Sequence, residues 1–286
     1  MHLFIVSDGK KGHENQSLGL AEAILRRREG DYEVGGTEDS LSLPSKKPDL
    51  IISAGHSTHP FLLRLARKFR CPSVVIMKPS LPLFLFSHCL IPEHDLKPGK
   101  KLRKNIIATK GPLNRISENN SPKEKKGLIL IGGPSKHYQW DTQAISSAVN
   151  NIIATRQDLS WTITNSRRSP SNQLSLLSES KATLAPCEET PSGWLPEELA
   201  SAKEVWVTPD SSSMVFEALT AGCGVGLLPL SPLDSRIARE NASLLRENKV
   251  TAFSKDNLQE PLPVPTTTFH ETARCAELLL SRLYPS

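Results

Sequence analysis

The densest chemistry in the chain lies between positions 205 and 230, VWVTPDSSSMVFEALTAGCGVGLLPL. A β-branched strand runs into three hydroxyls, Ser211, Ser212 and Ser213, and then into a short apolar helix bearing one acid, Glu217. Hydroxyls at a helix start cap the helix or donate to phosphate oxygens, and anionic ligands bind at such strand–loop–helix junctions. Glu217 lies one helical turn beyond Ser213. A carboxylate there would repel phosphate but accept well from paired sugar hydroxyls. The plainer alternative is an ion pair with a nearby base, with the serines acting only as caps.

Other loops offer matching groups. IGGPSKHYQW places Gly132 and Gly133 where backbone could approach a ligand, followed by the Ser135 hydroxyl and the Lys136 charge. NSRRSP supplies Ser166, Arg167 and Arg168 at a strand end, and a planar guanidinium suits phosphate oxygens or a surface salt bridge equally well. Near the start, SDGKKGHENQ carries Asp8 and His13. An imidazole titrates near neutral pH, so His13 is an acid–base candidate or a brace for the first helix. Asp8 either orients that ring or makes an Asx-turn. The glycine and lysine order is not that of a phosphate loop. His56 and His59 in AGHSTHP lack the further ligands that a metal site needs, and loop bonding or the lining of an acceptor pocket is the expected role.

These loops need a scaffold that brings strand ends together. Strands are expected at Leu3–Val6, Leu50–Ala54, Ser73–Met77, Leu90–Ile91 and Asn105–Thr109, with helices over SLGLAEAILRRR and PFLLRLARKF. SDGKKGHENQ reads as a loop. GPLNRISENNSPKEKKG, polar and proline-broken, reads as a junction, after which the pattern restarts at Leu128–Ile131. Helices follow at Thr142–Thr155 and Gln173–Glu179, strands at Trp161–Thr164, Glu204–Thr208 and Val225–Pro229, a helical region over SPLDSRIARENASLLREN and an amphipathic helix over FHETARCAELLLSRLY. The expectation is two parallel α/β domains, Rossmann-like, at 1–115 and 116–286, facing across a cleft, with the last helix packing back on the first domain.

The totals narrow the function classes. The net charge of +5, from 35 Lys and Arg against 30 Asp and Glu, reads as scattered rather than as an arm or stripe, which argues against nucleic-acid binding. Five irregularly spaced cysteines read as buried free thiols in a reducing, cytoplasmic compartment. MHLFIVSDGKKGH reads as a first strand rather than a signal peptide, and no apolar run is long enough to span a membrane. MKPSLPLFLFSHCLIP, with Leu81, Leu83, Phe84, Leu85 and Phe86 beside Lys78, either packs under the sheet or, if exposed, meets a lipid surface. The buried arrangement is the expected one.

The ordered motifs SDGKKGHENQSLGLA, DLIISAGHSTH, IPEHD, LIGGPSKHYQW, ITNSRRSP and VTPDSSSMVFEA resemble the mitochondrial fission ELM1-like family, a glycosyltransferase-B-like (GT-B) group. The chain is also distantly similar to MurG-type N-acetylglucosaminyltransferases. That resemblance implies that Gly12 and His13 face the acceptor, that Gly132 and Gly133 form the glycine pair of the second domain, that Ser212 and Ser213 lie near the diphosphate, and that Glu217 holds the ribose. Asp8-Gly9-Lys10-Lys11 and Pro209-Asp210 depart from that pattern. The implied activity is sugar transfer from a nucleotide-diphosphate donor to a hydroxyl acceptor such as a cell-envelope glycolipid or other lipid-linked molecule. His13 would serve as base, Arg167, Arg168 or Lys136 would offset the leaving charge, and no metal or other cofactor is required. Such a protein would lie in the cytoplasm, peripheral to the inner membrane. The alternatives are a sugar-nucleotide epimerase or hydrolase of the same fold, or a non-catalytic membrane-associated binding or scaffold protein.

Overall fold

A computed structural model describes residues 1–285 except 38–42, 98, 100, 118–121, 192 and 266–268. The chain divides into two compact units, Met1–Ser117 with His270–Ser286, and Glu118–Phe269. Positions 118–121 of the expected junction lie outside the described residues.

The first unit contains β1 (His2–Ser7), α1 (Lys11–Leu25), β2 (Asp31–Gly36), β3 (Leu50–Ala54), α2 (His59–Phe69), β4 (Ser73–Ile76), β5 (His88–Pro92) and β6 (Ile106–Thr109). Its six strands pair in parallel in the order β2-β1-β3-β4-β5-β6. Side chains alternate across a strand, so a sheet covered on both faces needs apolar residues at every position. β1 supplies them. Leu3 and Ile5 enter a core with Leu20, Ile24 and Leu50, while Phe4 and Val6 enter another with Leu62, Leu65 and Phe86.

The second unit contains β7 (Lys126–Ile131), β8 (Tyr138–Gln139), α3 (Thr142–Thr155), β9 (Ser160–Asn165), β10 (Ala182–Ala185), α4 (Trp194–Ser201), β11 (Glu204–Val207), α5 (Ser212–Thr220), β12 (Gly224–Leu227), β13 (Ser231–Pro232), α6 (Arg236–Arg246) and β14 (Thr251–Ala252). Six of these strands form a second parallel sheet, β10-β9-β7-β11-β12-β14, and β8 pairs antiparallel with β13. Ile129, Ile131, Ile145, Val149, Trp161, Ile163 and Trp206 build its core. The last helix, α7 (Glu271–Leu283), belongs to the first unit, where Cys275, Ala276 and Leu279 join the core of β1 and α1. Among the described residues no helix is long and apolar enough to cross a membrane.

Several local expectations change. Helix α1 begins at Lys11, so His13 and Glu14 belong to its first turn rather than to a loop, and the Ser7 hydroxyl fixes that turn by donating to Glu14 at 2.9 Å. The edge strands β2 and β10 carry no continuous apolar run because their burial is partial, and so they escape a hydrophobic reading. Gln173–Glu179 holds only a 3-10 turn at Ser175–Leu177. The LPLFLF segment is not wholly buried. It forms a 3-10 turn at Leu83–Leu85, whose three-residue repeat sends Leu83 and Phe86 toward the core and leaves Phe84 71% and Leu85 43% exposed.

One buried ion pair ties α3 to β11. Arg156 donates to Glu204 at 2.7 Å, and both are almost fully enclosed. Burial pushes the Glu204 carboxyl up while the guanidinium pulls it down. The Leu262 amide adds a hydrogen bond at 3.3 Å. Removing the cation strands a buried carboxylate, so Arg156→Met should cost about 3–5 kcal/mol in urea unfolding. Replacing Glu204 by Leu in the same protein should recover most of that loss, because the pair as a whole gains little over apolar packing.

Candidate functional site

At the carboxyl edge of the first sheet, neighbouring strands place their loops side by side. The loop after β1 presents Asp8, whose Oδ2 lies 2.9 Å from His13 Nδ1. From the loop after β3, Ser57 donates to the same oxygen at 3.1 Å, and the Lys10 amide donates to Oδ1 at 3.2 Å. Asp8 is almost enclosed, and burial raises its pKa. The bonds from His13, Lys10 and Ser57 outweigh that effect and hold it below the ordinary carboxylate range. An ionised aspartate accepting at Nδ1 fixes the ring tautomer and leaves Nε2 to take or give a proton.

Gly55 makes this approach possible. A Cβ built there would lie 2.4 Å from His13 Nδ1 and 2.9 Å from Asp8 Oδ2, and its φ of 93° is hostile to other residues. Nearby, His59 is buried, its ring edge-on to His56 at 5.6 Å between centroids, and burial lowers its pKa. Among the described residues no three or more His, Cys, Asp or Glu side chains are placed to hold a metal.

In the second unit the organising group is Asp210. Its side chain is wholly enclosed and its Oδ2 accepts from the Gly133 amide at 3.1 Å and from Arg168 at 2.8 Å. Arg168 also donates to the Gly133 and Pro134 carbonyls at 3.0 and 3.2 Å. The Gly132 amide donates to Thr208 at 2.7 Å. Both glycine amides therefore serve the protein, and these residues are glycines because Asp210 and Arg168 press against them. A Cβ on Gly132 would lie 2.4 Å from Asp210 Oδ1, and one on Gly133 2.2 Å from the Arg168 carbonyl.

Arg168 is accordingly a clamp. Arg167 and Lys136 are exposed and make no hydrogen bond or ion pair among the described residues. They remain the free cations of this edge. Ser166 accepts from the Arg168 amide at 3.2 Å, and Ser135 from the His137 amide at 3.1 Å, so both hydroxyls shape their loops. His137 Nδ1 is buried without a partner among the described residues, and desolvation, followed by Lys136 and Arg236, lowers the ring's pKa.

Helix α5 completes this edge. Ser211 is its N-cap residue but makes no side-chain capping bond, Ser212 donates to Glu240 at 2.8 Å, and Ser213 is exposed. The leading amides of the helix lack intrahelical acceptors, as at any helix start. The Glu217 side chain makes no hydrogen bond or ion pair with a described residue. It is crowded by protein yet keeps a window to solvent, and burial alone lifts its carboxyl to about 7. The ion pair that would make it structural is missing among the described residues.

The fold thus brings Asp8 to His13, and Gly132, Gly133 and Arg168 to one carboxylate. Gly55, Ser57, Thr208, Asp210 and Glu240 were not recognised as partners from the sequence. Only a glycine ending an apolar strand, and an acid directly after another strand, hinted at Gly55 and Asp210.

A family model described as mitochondrial fission ELM1 matches residues 11–283. No curated protein matches the chain. Among solved structures, a UDP-N-acetylglucosamine 2-epimerase from Neisseria meningitidis bound to UDP-N-acetylglucosamine is 12% identical, with TM-score 0.53, covering 98% of this chain and 100% of that one. S. aureus MnaA with UDP is 14% identical, with TM-score 0.55, covering 99% and 89%. The glycotransferase of kitacinnamycin is 14% identical, with TM-score 0.53, covering 99% of each chain. These likenesses establish a GT-B-like α/β fold.

The crowding at Gly55 yields a test. Gly55→Ala should lower stability by about 2 kcal/mol or more and shift the His13 ring resonances, since strain and collision act together. Gly9→Ala, with φ 75° but no atom within 4 Å of the new methyl, should cost only about 1 kcal/mol. Equal losses in thermal unfolding would contradict the proposed crowding.

Proposed function

The chain belongs to the mitochondrial fission ELM1 family, and on that premise we propose that it binds a nucleoside-diphosphate sugar and breaks the bond between the anomeric carbon and the diphosphate. Glu217 carries this reading. A desolvated carboxyl with a solvent window, no described partner and a place one turn into α5 is suited to accept from vicinal ribose hydroxyls. The diphosphate would lie against the start of α5, near Ser212 and Ser213, with Arg167 and Lys136 offsetting its charge. Gly132, Gly133 and Arg168 would shape this edge through Asp210, with Ser135 and Ser166 holding its loops.

His13 would act as general base, held by Asp8. In hydrolysis, the general base would take the water proton, water oxygen would bond to the anomeric carbon, and the diphosphate would leave with the electrons of the broken bond. Epimerisation would use the same donor site: a base takes a proton from the carbon beside the anomeric carbon as the diphosphate leaves, the proton returns to the opposite face, and the diphosphate adds back to the anomeric carbon. Turnover of the nucleotide sugar by hydrolysis or epimerisation is the first reading, supported by the epimerase fold shared with the Neisseria protein. Transfer to a hydroxyl acceptor, lipid-linked or glycolipid, is the second. It is favoured by the resemblance of Gly12, His13 and Glu217 to MurG-type positions and by the Asp8–His13 pair, which would activate an alcohol as readily as water.

Product analysis with labelled nucleotide sugars distinguishes these outcomes. Free sugar marks hydrolysis, an isomeric nucleotide sugar marks epimerisation, and a new glycoside after addition of lipid-linked acceptors marks transfer. No product from any uridine, guanosine, adenosine or cytidine donor would sink the enzymatic reading. His13→Ala should reduce turnover by about 100-fold or more while leaving stabilisation by the bound nucleotide intact.

Glu217 makes a prediction with two signs. Its folded pKa of about 7 lies above the ordinary value, so the folded state retains a proton that the unfolded chain has released. The associated stability is present at low pH and is lost as pH rises through about 7. Glu217→Gln should therefore be more stable than the wild type at pH 8, with little difference at pH 5. Nucleotide binding should move the other way, because the carboxylate is the better acceptor. Wild-type affinity should fall below pH 7, and the Gln variant should bind roughly tenfold more weakly at pH 8 without that pH dependence. A variant that gained stability and kept wild-type affinity would remove Glu217 from the ligand site.

A further inference from the structure

We infer that the amino edge of the first sheet is a docking surface for an anionic lipid bilayer, with Phe84 and Leu85 as its inserted tip. This does not rest on the donor-site reading, because the surface lies at the sheet edge opposite Asp8 and His13. The charge distribution comes first. Ten of the chain's 35 Lys and Arg, but only two of its 30 Asp and Glu, fall between positions 59 and 104. The rest of the chain therefore carries 25 basic against 28 acidic residues. The whole positive excess sits in this one stretch, although it reads as scattered along the full sequence.

The fold gathers much of that charge around the apolar tip. Helix α2 runs back from the carboxyl edge and ends at the amino edge with Arg67, Lys68 and Arg70 exposed. Three residues on, Ser73 exchanges two bonds with Ser87 at 3.1 Å each, tying the end of α2 to the turn that carries Phe84. On the other side, Asn105 donates to the Leu83 and Phe86 carbonyls at 2.8 and 3.1 Å. It thereby holds the exposed run Lys101, Leu102, Arg103 and Lys104 against the same turn. Phe84 is 71% exposed, and Leu85 and Leu102 are each 43% exposed.

Lipid fits this surface better than an acidic protein does. Electrostatics alone would not require an exposed phenyl ring held between cationic segments, whereas bilayer attachment combines apolar insertion with attraction to anionic headgroups. Backbone entering a bilayer must have its polar groups satisfied. Here Leu85 and Phe86 amides donate to the Pro82 and Leu83 carbonyls at 3.1 and 3.3 Å, and Asn105 serves the Leu83 and Phe86 carbonyls. Leu83 and Phe86 pack on the α2 core, anchoring the tip from beneath.

Sedimentation of the full chain with phosphatidylcholine vesicles, with and without about one-third phosphatidylglycerol, tests this. Binding should require the anionic lipid and weaken at high salt. Phe84→Asp, and separately a Lys101→Glu, Arg103→Glu double variant, should each bind about tenfold or more weakly with unchanged thermal unfolding. Phe84→Trp should gain fluorescence quenching by brominated lipid over the wild-type background, reporting insertion. The inference is overturned if the folded wild type ignores anionic vesicles, if Phe84→Asp binds them as well as the wild type, or if polyglutamate binds the surface and vesicles do not. No nucleotide sugar enters the assay, so its outcome is separate from that of the donor-binding experiments.

Discussion

Parallel pairing is the constraint on which the arrangement of functional groups depends. A parallel strand cannot turn directly back beside its neighbour, so each connection must cross a sheet face, and every loop that follows a strand emerges from the same edge. In the first unit β1 pairs with β3, which is why Ser57 and Gly55 can meet Asp8 and His13 from nearly fifty residues away. In the second, β7 lies between β9 and β11. Arg168 from beyond β9 and Asp210 from beyond β11 therefore close on the two glycines after β7.

The buried charges of the second unit divide by what surrounds them. Glu204 and Asp210 each face an arginine and a backbone amide, so their desolvation is partly offset inside the protein. Glu217 has neither among the described residues, and its carboxyl is held near neutral pH by burial. A fold gains nothing in stability by keeping such a group. Ligand recognition supplies a physical reason for retaining it. Asp210 also braces the glycine pair through Gly133 and Arg168.

The first unit is chemically polar from end to end. Its carboxyl edge holds an aspartate–histidine pair, while its amino edge combines exposed cations with Phe84. A helix such as α2 spans both, beginning at the buried His59 and ending in a basic turn with Arg70 at φ 51°. Separate recognition tasks can therefore be built on one rigid sheet.

Much of the architecture was legible in the residues. β1, β3 and β7 each carry an unbroken apolar run because both sheet faces are covered, and α3 carries its N-cap Asp141 and helical apolar spacing openly. The edge strands β2 and β10 were not, since partial burial leaves a mixed sequence. His13, Glu217, the glycine pair and the arginines stand out by residue type. Their roles in this fold do not. Whether an arginine is free or a clamp, whether a glycine amide faces a ligand or Asp210, and whether Phe84 is covered all depend on residues distant in the chain. Local sequence sets strand and helix preference because those obey periods of two and 3.6 residues. Partnership and exposure are set by crossover topology, and only the tertiary structure decides them.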